Sequence, residues 1–150
     1  MSWDAIFGAA NLLALLSWVA LAFLPRWPAL LSALLFLIVG GLCLTYAVSL
    51  IGMMSGLLDP GGGDGSANFS NIEGVRAAFA SDGGITIGWI HYLAFDLFVG
   101  IWIARDADAK NFSRLLQIPI LLLTLFAGPI GLLVWLIVRE GRARALGRWT

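Results

Sequence analysis

Apolar residues gather in four long stretches, roughly 5–24, 29–56, 84–104 and 115–138. An α-helix rises 1.5 Å per residue, so about 20 apolar residues match the roughly 30 Å of bilayer hydrocarbon. The pattern predicts an all-α integral membrane protein, a four-transmembrane-helix bundle forming one membrane domain over 1–150. The second stretch, 28 residues long, exceeds the minimum and is expected to tilt or protrude.

The breaks carry their own signals. Pro25-Arg26-Trp27-Pro28 reads as a tight turn whose Arg and Trp suit the headgroup layer. The long connection, 57–83, opens with Asp59-Pro-Gly-Gly-Gly-Asp-Gly65, where glycine and proline oppose regular structure and predict a flexible linker. Its second half contains Ser70 and Glu73 at the S-x-x-E spacing of a capping box. Ile72, Val75 and Phe79 then recur on one helical face, which predicts a short interfacial helix.

Composition agrees with the spans. The chain is 60% hydrophobic and 12% charged, with mean hydropathy +0.92, and a soluble domain of this size cannot bury so much apolar surface. Net charge is zero and no basic tract precedes the tail, which argues against a nucleic-acid partner. Cys43 is the single cysteine and cannot close an internal disulfide. The first stretch is read as a retained span, since no positive region precedes it and no cleavage signal follows. Four spans would put both termini on one side. Arg76, Arg139, Arg142, Arg144 and Arg148 would share that side, against Arg26, Arg105, Lys110 and Arg114 on the other. That excess points weakly to cytoplasmic termini.

Projection at 100° per residue sorts the third span. Ile90, Leu93, Ala94, Leu97, Ile101 and Ala104 form an aliphatic side expected to face lipid. Gly88, Tyr92, Phe95 and Val99 lie opposite, with His91 and Trp102 on one flank and Asp96 and Trp89 on the other. His91 and Asp96 are about 140° apart, so they are expected to face one cavity rather than each other. Asp4, Asn11, Leu15 and Trp18 share a face of the first span, and Gly41, Thr45, Ser49, Gly52 and Gly56 form a small-residue ridge on the second. Gln117, Leu121, Thr124, Gly128 and Trp135 line the fourth, where Pro119 and Pro129 are expected to kink the helix.

Counting inward from the terminal side, Asn11, His91, Ser49 and Gly131 fall roughly 10 Å deep, Tyr46 slightly further in, and Asp96, Ser17, Thr45 and Thr124 near the midplane. Such a layer of polar groups is what a buried site would look like. Hydrogen-bonding glue between helices, worth about 0.6 kcal/mol per pair, is the simpler reading for the neutral members. It serves less well for Asp96 and His91, because ionisable groups at that depth are costly. Arg105 reads as a snorkelling headgroup anchor.

Other motifs fail their context. The glycine run lacks the Lys-Ser/Thr and preceding strand of a phosphate loop. The sequons Asn68-Phe-Ser70 and Asn111-Phe-Ser113 are too short to be informative alone. One histidine and one cysteine are too few for a structural zinc site, and no serine stands at a nucleophile elbow.

Trp89-x-His91-x4-Asp96-Leu97-Phe98, followed by Gly128-Pro129-x-Gly131, resembles the neoxanthin-synthase family, named after the plant abscisic-acid-deficient protein, in its bacterial branch. The likeness is dense over the last two spans. It implies a four-helix membrane protein and, in plants, a role in turning violaxanthin into neoxanthin, with Trp89, His91, Asp96, Pro129 and Gly131 at the site. Opening a 5,6-epoxide to an allene is an isomerisation and formally needs no cofactor. A general acid must protonate the epoxide oxygen while a base removes a proton from the neighbouring polyene carbon. A low-dielectric layer favours a neutral carboxyl, which casts Asp96 as the acid and His91 as the base. Trp89, Tyr92, Phe95 and Trp102 would stack along the polyene, with Asn11, Tyr46, Thr124, Gly128, Pro129 and Gly131 completing the binding surface.

The expected partners are therefore a carotenoid or other hydrophobic isoprenoid and membrane lipid, within a homo-oligomer or a larger membrane complex. Two other classes stay open. One is a non-catalytic pigment- or lipid-binding subunit. The other is a b-type haem protein with His91 as axial ligand.

Overall fold

The computed structural model describes residues 2–63 and 68–147, and all regular elements among them are helical. Helix α1 spans Trp3–Phe23 and α2 Pro28–Ser32. A π-helical stretch, Ala33–Val39, follows and runs on into α3, Gly40–Met54. After the long connection come α4 (Ile72–Ala78), α5 (Asp82–Ala109), α6 (Arg114–Phe126) and α7 (Gly128–Leu146). Asp64 and Gly65 of the glycine run, and Arg148 of the tail, lie outside the described residues.

Among the described residues, three helical segments are long and apolar enough to cross a bilayer: Trp3–Phe23, Pro28–Met54 and Asp82–Ala109. Only 33% and 22% of the most apolar windows of the first two are buried within the chain. Large side chains such as Leu12, Leu16, Phe36, Leu44 and Ile51 are more than half exposed. So much apolar surface calls for lipid rather than water.

The chain divides into two compact units, residues 1–14 with 40–94 and residues 15–39 with 95–150. In the first, the connection is built in detail. Gly56, at φ +74°, ends α3, and the Leu58 amide donates back to the Gly52 carbonyl at 3.0 Å. Leu58 thereby covers Gly52, where a Cβ would meet its side chain at 2.7 Å. The small-residue ridge thus receives its own chain at that point. Gly61, Gly62 and Gly63 all have positive φ, a conformation cheap only for glycine. They let the carbonyls of Pro60 and Gly61 accept from the Gly83 and Asp82 amides. The part of the glycine run expected to be a linker is therefore a defined turn over the start of α5. The Ser81 hydroxyl caps that helix by accepting from the Gly84 amide at 3.1 Å, as an N-cap serine should. Helix α4 is present, but its cap is Asn71, whose Oδ1 accepts from the Gly74 amide at 2.8 Å, and not the expected Ser70.

The second unit has a continuous core that includes Trp18, Leu21, Leu97, Ile101, Leu121 and Trp135. Two expectations fail here. The fourth stretch is two helices, because Ala127 leaves helical geometry (φ −151°, ψ 68°) ahead of Pro129, which has no N–H to continue the ladder and suits a helix start. Pro119 instead sits inside α6. Helix α7 then folds back on α6. Thr124 lies against Gly131, where a Cβ would meet its Oγ1 at 2.2 Å. Phe112 meets the Trp135 ring edge-on at 5.1 Å. The pair is a helical hairpin that returns to the end of α5, so counting four crossings no longer places the termini on one side. The expected stripe survives the break, for Gln117, Leu121, Thr124 and Trp135 are all fully buried.

The second failure concerns α5. Its aliphatic side is the packed one: Ile90, Leu97 and Ala104 are 0% exposed and Leu93, Ala94 and Ile101 are buried. Phe95, at 57% exposure, looks outward. Lipid is as apolar as a protein core, so hydrophobicity does not tell the inner face of a membrane helix from the outer one.

Candidate functional site

In the first unit, a cavity of about 300 Å³ opens beside α5, with Tyr46 and His91 among its lining. Its walls are Leu50 and Met53 of α3 and Ile87 of α5, and it is covered by Phe69, Ala78 and Phe79. Tyr46 and His91 meet edge to face, ring centroids 5.6 Å apart. They are the only polar side chains of the lining among the described residues, and the rest is apolar.

Two glycines bring the cover down onto α5. A Cβ at Gly84 would lie 1.8 Å from the Ala78 carbonyl oxygen, and one at Gly88 would lie 2.2 Å from the Phe79 ring. Spaced four apart, they form a groove on one face of α5 that admits a close backbone. Trp3 secures the same end. Its indole N–H donates to the Asp59 carbonyl at 2.8 Å, and its ring stands where a Cβ on Gly83 would be, 2.9 Å away.

The aromatic and amide candidates of this unit form a second group. Trp89 stacks on Tyr92 at 5.0 Å and on Phe7 at 5.9 Å, and donates its indole N–H to Asn11 Oδ1 at 2.8 Å. Asn11 thus ties α1 to α5 by a single side-chain bond.

The second unit holds the remaining candidates. The Asp96 carboxylate rests on the first residue of α7: a Cβ at Gly128 would fall 2.1 Å from its Oδ1. An acidic group at a helix N-terminus meets the positive end of the helix dipole. Asp96 is buried at 9% exposure. Thr124 bonds back to the Ile120 carbonyl at 2.8 Å, Pro129 is exposed and Gly131 buried. Trp102 receives the Arg139 guanidinium over its ring at 5.4 Å.

The buried charges were missed as a group. Asp106 Oδ1 accepts from Lys110 Nζ at 2.9 Å and from Arg139 Nη2 at 2.8 Å. Its Oδ2 accepts from Arg139 Nε at 2.6 Å and from Trp135 Nε1 at 3.1 Å. Arg26 forms a second centre. Its Nη1 donates to Asp108 at 3.0 Å, to the Ala104 carbonyl at 3.2 Å and to Gln117 Oε1. Its Nε donates to the Leu21 carbonyl at 3.0 Å. Burial pulls the Arg26 guanidinium below its ordinary range, while the Asp108 hydrogen bond acts the other way. Arg26, Lys110 and Arg139, expected to be solvated topology signals, hold the unit together instead. The i, i+4 spacing of Asp106 and Lys110 was the one available sign.

Against known proteins, the ABA DEFICIENT 4-like family model matches residues 5–135. The chain belongs to this family. No curated protein and no solved structure matches it. The range that aligns with the ABA DEFICIENT 4-like family contains Tyr46, His91 and the Asp96–Gly128 contact. In this ABA DEFICIENT 4-like chain, Asp96 and the Gly128-Pro129-x-Gly131 turn, distant in sequence, touch each other. His91 instead belongs to the Tyr46 cavity.

Proposed function

We propose that this membrane protein of the ABA DEFICIENT 4-like family binds and isomerises an oxygenated isoprenoid, a carotenoid epoxide being the leading case. The supporting observation is the Tyr46–His91 pair at 5.6 Å in an apolar cavity of about 300 Å³. A lining of apolar groups with few convergent polar ones is how ligand sites combine affinity with orientation. The volume suits one end group, with the polyene running out along the exposed apolar surface.

In this reading the Tyr46 hydroxyl donates a proton to the epoxide oxygen as the C–O bond opens. His91 removes a proton from the adjacent polyene carbon, which closes the allene. The proton then passes back from His91 to Tyr46, so substrate and product are isomers and nothing is left over. Asp96 is recast from acid to positioning residue, fixing α5 against the α6–α7 turn. The family resemblance supports the substrate class, and the cavity supports the choice of residues.

The test is conversion of violaxanthin by the full chain in liposomes, followed by chromatography and mass spectrometry. His91→Ala and Tyr46→Phe should each abolish turnover and leave folding intact. Co-purifying pigment without turnover in the unaltered chain would favour the binding-subunit alternative. A Soret band would favour haem.

A further inference from the structure

A second cavity, of about 330 Å³, lies wholly within the second unit and has a different chemistry. Its lining combines Arg26, Arg105 and Ser32 with apolar residues that include Leu31, Leu35 and Ile101. The Arg26 side chain is 2% exposed. Its Nε and Nη1 are taken up by the Leu21 carbonyl and the Asp108 centre. Its Nη2 is buried with no hydrogen-bond partner among the described residues. A buried donor left unsatisfied is costly, and more so when charged. Arg105 is exposed and has no ion-pair partner among the described residues.

The charges near this cavity do not cancel. Asp108 offsets Arg26, which leaves Arg105, and Arg114 is close enough to bear on the Arg26 guanidinium. Guanidinium groups and a hydroxyl in one lining with branched aliphatics describe a receptor for an anionic head on an apolar chain. The cavity follows the α1–α2 turn, whose Trp27 is half exposed, as suits the headgroup layer.

We propose that this cavity binds the phosphate headgroup of an anionic phospholipid, with Arg26 Nη2 and Arg105 as donors and an acyl chain along Leu31, Leu35 and Ile101. Phosphate is the shared chemistry of lipid and free anion, and the apolar wall selects the lipid. The site is independent of the Tyr46–His91 cavity, so either assignment can fail alone.

The full chain in lipid nanodiscs, with phosphatidylglycerol and phosphatidylcholine in equal amounts, should retain phosphatidylglycerol preferentially by native mass spectrometry. Arg105→Gln should weaken that preference roughly tenfold, the scale of one charged hydrogen bond. Arg144→Gln, in an exposed pair with Glu140, should leave it unchanged and controls for bulk charge. Arg105 is the test residue because it takes part in no hydrogen bond or ion pair among the described residues. Equal retention of the two lipids, or a preference that survives Arg105→Gln, would overturn the proposal. Displacement of phosphatidylglycerol by inorganic phosphate would overturn it too, by making the occupant a free anion.

Discussion

Asp96 and Gly128 touch, the carboxylate of one lying where any side chain of the other would have to be. A Cβ on Gly128 would sit 2.1 Å from Oδ1 and 2.6 Å from Cγ. The two sequence segments that carry the family resemblance, 89–98 and 128–131, therefore meet as one contact at the turn of the α6–α7 hairpin. Gly128→Ala should destabilise the protein by about 1–3 kcal/mol, the usual cost of overpacking. In an Asp96→Ala background the added methyl has room, so the same change should cost at least about 1 kcal/mol less. Reversible unfolding of the four proteins in mixed micelles measures this coupling. Additive effects would mean the contact carries no energy.

Asp106 is held by Lys110, Arg139 and Trp135, all buried. Asp106→Asn would leave two cations without their counter-charge and should cost about 3–5 kcal/mol, as broken buried pairs do. Arg144→Gln, the 72% exposed member of the pair with Glu140, should change stability by less than about 0.5 kcal/mol. Thermal denaturation of both variants should separate them plainly.

Closure of the Tyr46–His91 cavity depends on bare backbone at Gly84. Its Cβ would meet a carbonyl oxygen, Ala78 O, at 1.8 Å, and a backbone atom cannot swing aside. Gly84→Ala should therefore lift the 72–79 segment, weaken ligand binding by roughly tenfold or more, and expose the 55–81 connection to protease. Ligand titration and limited proteolysis should change together.

The cap of α4 separates two nearby residues. Asn71→Ala removes the acceptor for the Gly74 amide and should cost the helix about 1 kcal/mol. Ser70→Ala should cost almost nothing. Amide hydrogen exchange across 72–78 reads the difference locally.

A hairpin and a crossing helix also predict different labelling. Cysteines placed at Ser113 and Gly147, on a background with Cys43 replaced, should react with an impermeant maleimide from the same face of the membrane. Labelling from opposite faces would mean that α6 and α7 cross as one helix.

Much of the helical frame was legible in the sequence, because spans and breaks follow from the length of apolar runs. The α6–α7 reversal was not: a largely apolar stretch of 24 residues, 115–138, has the same hydropathy whether it crosses or turns back, and Pro129 decides only where it breaks. Face assignment on α5 inverted for a related reason, since neither lipid nor protein penalises an aliphatic side chain. For the site, the cost of polar groups in lipid drew attention to His91 and Asp96. Spacing alone could not say that His91 pairs with Tyr46 while Asp96 packs on Gly128. The buried Asp106 and Arg26 centres escaped because charges near span ends are usually solvated.

The π-helical stretch Ala33–Val39 has an evolutionary consequence. Its i→i+5 bonding accommodates an extra residue that an α-helix would exclude. One deletion there can be absorbed by reverting to i→i+4 bonding, leaving the side chains beyond it in phase. A deletion within Gly40–Met54 would turn every later side chain by about 100°. Length variation among related chains should therefore concentrate at 33–39 and avoid the helix that carries Tyr46.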